Sequence, residues 1–233
     1  MSFNDRTLTV VGESDYERIT NRHIVLVGVG GVGGAVLECL VRFGVKKITI
    51  IDFDTVDESN LNRQLISTAD AVGKIKVDVA KRRALSIRPD CQIDAVNMFI
   101  RAENLDFVGT LRPDYVIDCI DSVKSKLDLV QYCHEKNIPI ISAMGTGGRF
   151  SPYGFVIGKV EDTAGNGCGL SRVMRRELKK RGVVNHTCLY NTNPPQTKQT
   201  HESHGRHAPG STVFAPNIAG IMIAHYVCEQ LKK

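Results

Sequence analysis

At 233 residues, 42% hydrophobic and 24% charged, the chain is long enough to bury a full core and has the balance of a globular protein, which excludes a disordered or fibrous one. Thirty basic against 25 acidic residues give a net charge of +5, a mild lean that suits a polyanionic partner such as ATP or RNA without requiring one. Seven cysteines, an odd number with no C-x-x-C pair, exclude a disulfide framework and the usual structural zinc spacing; the expectation is a reducing compartment, the cytoplasm.

In chain order, no basic start with a following apolar run marks Met1 to Arg6 as a signal peptide. His23 to Val29 reads as a buried strand ending in glycines, and Gly33 to Phe43 as a helix carrying Val36, Leu37, Leu40 and Val41 at helical spacing. Lys46 to Ile51 is a second strand, Gly73 to Arg88 an amphipathic helix stopped by Pro89, and Gln92 to Met98 a third strand. Tyr115 to Ile120, a helix from Ser122 to Lys136, and Ile138 to Ala143 complete a doubly wound unit. Beyond it, Gly154 to Val160 reads as a weak strand, Leu170 to Arg181 as a helix, Asn191 to Pro209 as a long loop and about Pro216 to Leu231 as a closing helix. That last stretch is interrupted by Pro216, Asn217, His225 and Glu229 and is a poor membrane span. The expected fold is α/β, a Rossmann-like, doubly wound, mostly parallel sheet with a smaller irregular C-terminal extension. Residues 1–150 would be the nucleotide-binding core and 151–233 the extension for substrate and dimer contacts, within one domain.

Gly28-x-Gly30-Gly31-x-Gly33 follows a strand and opens a helix, where backbone N–H groups can approach a phosphate. Asp52 ends the next strand, where a carboxylate can accept a ribose hydroxyl. These residues fit NAD as well as ATP. A dehydrogenase would run straight into its second helix; here a polar loop delivers Arg63, and Lys74 and Lys76 open the helix that follows. Cations there offset charge growing on a leaving pyrophosphate. Asp121, after the fourth strand, is placed to hold Mg²⁺ against phosphate oxygens. The plainer readings are surface charge for Arg63 and Lys76 and a helix N-cap for Asp121.

The pieces Gly28-x-Gly30-Gly31-x-Gly33, Asp52-x-Asp54, Asn60-x-Asn62-Arg63-Gln64, Lys76 and Asp118-x-x-Asp121 resemble the ubiquitin-activating-type (ThiF/MoeB-like) adenylyltransferases. The resemblance implies an ATP site of those glycines with Asp52, Asp54, Asn60, Arg63, Gln64, Lys76 and Asp121: Asp52 on ribose, Arg63 and Lys76 on phosphates, Asn60 positioning the triphosphate and Asp121 on Mg²⁺. It also implies that Arg6 reaches the partner's ATP site in a homodimer, making Arg6, Arg63, Lys76 and Asp121 the catalytic set. Asp118-Cys-Ile-Asp121-Ser-Val-Lys124-x-Lys126, the basic stretch from Cys168 to Gly182, and Gly210-Ser211 through Gly220 are similar to the tRNA threonylcarbamoyladenosine dehydratase branch. That branch implies ATP-dependent cyclisation of a threonylcarbamoyl group on tRNA through a carboxyl-adenylate. One departure is Cys168-Gly169-Leu170-Ser171-Arg172, where the branch carries a proline. The competing reading activates the C-terminus of a ubiquitin-like sulfur-carrier protein; the zinc-binding C-x-x-C pairs common among those activators are missing.

Six Lys or Arg lie between Arg172 and Arg181; Arg172, Arg175, Arg176 and Lys179 are candidates for tRNA phosphates, against the plainer reading of a solvated face. Cys168 and Cys188 are candidate reactive thiols, for example with a sulfur-relay partner, against the plainer reading of small core residues. His201, His204 and His207 lack the spacing of a metal site and fall in the 193–209 stretch, whose function the residues do not reveal.

Overall fold

A computed structural model of the chain describes residues 3–196, 200–203 and 206–233. Its centre is a seven-stranded sheet in the order β3-β2-β1-β4-β5-β7-β6. The strands are β1 (His23–Val27), β2 (Lys47–Asp52), β3 (Gln92–Asn97), β4 (Tyr115–Asp118), β5 (Ile140–Ala143), β6 (Phe155–Lys159) and β7 (Thr187–Asn191). Every pairing is parallel except that of β6 with β7. The α/β, mostly parallel fold read from the sequence is the one observed.

Strand periodicity explains why the central strands read as continuous apolar runs. Ile24 and Leu26 of β1 face one core and Val25 and Val27 face the other. Ile48 and Ile50 of β2 join the first, and Ile51 the second. A parallel strand covered on both faces needs apolar residues at odd and even positions alike. The first core packs under α2 (Glu13–Thr20), α3 (Gly31–Phe43), α4 (Lys76–Ile87) and the C-terminal helix. The second packs under α5 (Asp106–Thr110), α6 (Val123–Glu135) and α7 (Gly169–Lys180).

α8 (Phe214–Leu231) lies against α3, the most extensive helix–helix contact in the molecule. A Cβ at Gly220 would meet the Val32 carbonyl oxygen and the Ala35 methyl, so the two backbones touch there. Asn217 in α8 reaches the Arg63 carbonyl at 3.1 Å. The last helix therefore buttresses the glycine turn and the loop opposite it.

Three sequence expectations need correction. The extension is less irregular than expected, because β6 and β7 complete the main sheet; β7 has an apolar centre, Cys188-Leu189-Tyr190, too short to stand out from its flanks. The 193–209 stretch is not simply loop: β8 (Thr200–Ser203) and β9 (Arg206–Pro209) form an antiparallel hairpin. His204 and the side chains of His201 and His207 lie outside the described residues. The helix expected from Gly73 starts at Lys76, because Ile75 is held extended in a bridge to Thr55. The sequence reading also passed over α1 (Asp5–Val11), which buries no residue, and α2. Among the described residues no helix is long and apolar enough to cross a membrane.

Candidate active site

Strand order reverses between β1 and β4, and the carboxyl ends of β1, β2, β4 and β5 share one edge of the sheet. Ligands of doubly wound folds bind outside such an edge, at such a switch. Gly28 sits there at φ 88°, a conformation that other residues adopt only with strain, and a Cβ on it would lie 2.8 Å from the Cys119 carbonyl oxygen. Gly30 is the N-cap of α3, whose first turn is Gly31-Val32-Gly33-Gly34. The turn thus leaves a helix N-terminus at the crevice with glycine at its N-cap and first position.

The acidic residue at the end of β2 holds this turn in place. Asp52 accepts from Val29 N–H at 2.8 Å through Oδ2 and from Asp54 N–H at 2.9 Å through Oδ1. Asp54 in turn accepts from the Lys76 ammonium at 3.1 Å, and Lys76, on the first turn of α4, is only 4% exposed. Asn60 is buried, and its side-chain oxygen accepts from Asp57 N–H at 3.2 Å, closing a capping box on a 3-10 turn. Arg63 follows one turn on, donating to the Ser59 carbonyl at 2.7 Å and the Asn62 side chain at 2.9 Å. Burial pulls the Arg63 pKa down, with Asp57 opposing it. Gln64 is buried, and its amide nitrogen would lie 3.7 Å from a Cβ on Gly30. Gly31 looks onto both Pro216 and the Arg63 side chain. The fold thus brings Gly30, Gly31, Arg63, Gln64 and the Asp52–Asp54–Lys76 chain around one turn.

Asp121 lies on the loop after β4 beside the same turn. It is exposed and bonds no described residue, while the N-cap of α6 is Ser122, so capping does not explain it. Asp118, three residues earlier, is fully buried. It accepts from Lys126 at 2.8 Å, from the Ser142 hydroxyl at 2.6 Å and from Ile120 N–H at 3.1 Å. Lys126 is itself 0% exposed. From Ser142 the network runs to His186 at 2.9 Å and on to His134 at 3.3 Å. Sequence reasoning missed this network. A detectable signal was Lys126 on the inward stripe Val123, Lys126, Leu127, Val130, Cys133, where a lone lysine implies a buried carboxylate.

Burial, reinforced by His134, Lys126 and Lys159, pushes His186 down to about 3. In the unfolded chain a histidine titrates near pH 6.5. Its folded pKa is depressed, so its stabilising contribution is full above about pH 6.5 and is lost as pH falls toward 3, where the unfolded state binds the extra proton. Urea melts between pH 7 and 5 should show wild type losing stability more steeply than His186→Gln, by up to about 1.4 kcal/mol per pH unit. Parallel slopes in the two proteins would mean that His186 already carries its proton when folded.

The ThiF family profile matches residues 4–231. The chain belongs to the ThiF family. Among similar ThiF-family proteins is the tRNA threonylcarbamoyladenosine dehydratase of Bacillus subtilis, 32% identical, with the match covering 98% of this chain and 94% of that protein. Another is tRNA threonylcarbamoyladenosine dehydratase 2 of Saccharomyces cerevisiae, 38% identical over 75% of this chain; the match spans only 39% of that longer protein. The crystal structure of the E. coli tRNA N6-threonylcarbamoyladenosine dehydratase in complex with AMP superposes with a TM-score of 0.88 at 29% identity, covering 97% of this chain and 92% of that one. A structure of the same E. coli enzyme in complex with ATP gives the same TM-score.

The remaining candidates of this ThiF-family chain divide by surroundings. Arg6 is exposed on α1. On α7, Met174 and Leu178 face the core, and Arg172, Arg176 and Lys179 are exposed. Arg175 instead turns inward to the Thr163 hydroxyl at 2.9 Å. Arg176 leans on Glu177 at 2.7 Å, whereas Arg172 and Lys179 bond no described residue. Cys188 is 0% exposed in β7 and burial pushes its thiol up to about 12, an environment that opposes a reactive thiolate. Cys168 is buried at the N-cap of α7, beside Gly145. Among the described residues no group of three or more His, Cys, Asp or Glu is arranged to hold a metal.

Proposed function

We propose that this chain is an ATP-dependent tRNA threonylcarbamoyladenosine dehydratase acting in the cytoplasm. The observation that carries the reading is the match to the Bacillus subtilis dehydratase over nearly the whole of both chains. In this reading a carboxylate oxygen of the threonylcarbamoyl group attacks the α-phosphorus of ATP and pyrophosphate leaves. An internal nucleophile of the same group then attacks the activated carbonyl and closes a ring. The carboxylate oxygen departs with AMP, so the nucleoside loses one water.

The chain's residues divide this work. Residues 1–150 form the nucleotide-binding core, and 151–233 serve substrate and dimer contacts. The glycine turn offers its N–H groups to phosphate, and Asp52, fixed by two backbone donors, presents its remaining lone pairs to ribose. Arg63 and Lys76 offset the charge on the departing pyrophosphate, Lys76 released from or shared with Asp54. Asn60 and Gln64 hold the loop that carries Arg63. Arg6 of a second copy completes the site in a homodimer. A free, exposed carboxylate such as Asp121 fits Mg²⁺, which takes one or two protein carboxylates and fills its other positions from phosphates and water. When bound, it would neutralise phosphate charge.

The deciding experiment incubates the protein with ATP, Mg²⁺ and total tRNA and analyses the nucleosides by mass. The expected result is threonylcarbamoyladenosine lighter by one water. Unchanged nucleosides, with ATP–pyrophosphate exchange triggered by a small carrier protein, would assign the chain to carrier-protein activation instead.

For the tRNA surface, the exposed cations of α7 are the informative targets. Charge reversal of Arg172, Arg176 and Lys179 together is expected to weaken tRNA binding and flatten its salt dependence, with ATP affinity unchanged. Arg175 is left alone because it supports Thr163. Equal loss of tRNA and ATP binding would point to misfolding, and no loss of tRNA binding would remove α7 from the interface.

A further inference from the structure

Arg149, on the segment that follows β5 at the crevice edge of the sheet, is a buried cation with most of its donors unused among the described residues. It is 4% exposed. Its Nη1 donates to the Asn193 carbonyl at 2.7 Å and to the Pro194 carbonyl at 3.1 Å. Nε and Nη2 are buried and bond no atom among the described residues. No carboxylate pairs with the guanidinium among the described residues; the titratable group acting on it is the Cys168 thiol.

Which donors are free matters. A guanidinium grips a carboxylate with two parallel N–H groups, and Nε with Nη2 forms one of its two forks. The carbonyls of residues 193 and 194 take up Nη1 and thereby orient the guanidinium, leaving the Nε–Nη2 fork open. The plane is braced further, because Gln196 N–H donates to the Gly148 carbonyl and the Gln196 side chain accepts from Phe150 N–H at 2.5 Å. A buried charge with an open fork is costly, and a planar anion is the partner whose charge and geometry match that fork best. The next residue, Phe150, is 68% exposed and packs edge-on against the half-exposed Phe214, so the fork lies one residue from the surface.

We propose that the Nε–Nη2 edge of Arg149 is the receptor for a substrate carboxylate, holding the group that is to be activated at the crevice beside the carboxyl end of β5. It rests on the dehydratase reading for the identity of that carboxylate, the one borne by the threonylcarbamoyl arm. Arg149 is thus a specificity residue, separate from the residues assigned to ATP.

The test titrates the full chain with N-carbamoyl-L-threonine as the free probe, followed calorimetrically, with ATP and inorganic phosphate titrated in parallel. Wild type is expected to bind the probe, Arg149→Met to lose about tenfold to a hundredfold in affinity, and Arg149→Lys to fall between, with ATP affinity held within about twofold in all three. Thermal melts of the Lys and Met variants separate lost binding from lost folding; if Met does not fold, the Lys variant carries the comparison. Equal probe affinity in wild type and variants, no binding by wild type, or phosphate displacing the probe on equal terms would each overturn the assignment. Arg149-dependent binding without dehydration of tRNA would keep the carboxylate site and remove the proposed reaction.

Discussion

Replacing Lys126 by Met is expected to cost about 3–5 kcal/mol of folding stability, read from urea denaturation at pH 7. The ammonium and the Asp118 carboxylate are both fully buried, 2.8 Å apart. Removing one charge strands the other in a medium that solvates it poorly, and the hydroxyl of Ser142 and N–H of Ile120 recover only part of that loss. Ser142→Ala is expected to cost less, about 1–2 kcal/mol, because the ion pair survives it. The double replacement Lys126→Met with Asp118→Leu should be more stable than Lys126→Met alone, since it removes the stranded charge. A loss below about 1 kcal/mol in Lys126→Met, or a double variant worse than the sum of its parts, would sink this account. The consequence for the site is direct. Asp118 anchors the turn that carries Asp121, so any Lys126→Met protein that stays folded should bind ATP more weakly.

This network also marks the boundary of what the residues alone disclosed. The central strands were legible because burial on both faces forces unbroken apolar runs, and the glycine turn because its spacing has a backbone cause. Asp52 and Asp121 stood out as carboxylates at or just after strand ends, and Arg63 and Lys76 as cations delivered by the polar loop and helix start that follow β2. Of the network only Lys126 left a trace, on the inward stripe of α6; its partners Ser142 and His186 were not legible, since they meet only when α6, β5 and β7 pack together. Arg149 was hidden for the same reason: its partners are backbone carbonyls 44 and 45 residues away, and carbonyls carry no sequence signal. Strand β7 was missed because only a few apolar residues lie between polar flanks, a pattern that turns share. Asn60, which the family resemblance places on the triphosphate, uses its side-chain oxygen to close the turn that presents Arg63.

The glycines of the turn carry two different duties, and alanine scanning should separate them. A Cβ on Gly33 would run into the Gly28 carbonyl oxygen, a backbone atom that cannot move without dismantling the turn. Gly33→Ala is therefore expected to cost about 3 kcal/mol or more in stability and to abolish nucleotide binding with it. Gly30 has a negative φ, −75°, with ψ −148° just past the extended range, and the nearest atom to an added methyl is the Gln64 side-chain nitrogen at 3.7 Å. Gly30→Ala should accordingly cost about 0.5–1.5 kcal/mol, since alanine is a poorer N-cap than glycine, and clearly less than Gly33→Ala. It should still weaken ATP by about tenfold or more, because the methyl stands where a phosphate would approach the N–H groups of the first turn of α3. Denaturation and ATP titration of both variants decide the matter. Should Gly30→Ala bind ATP as well as wild type, the phosphates do not lie over this turn, and the reading of the crevice as the ATP site falls with it.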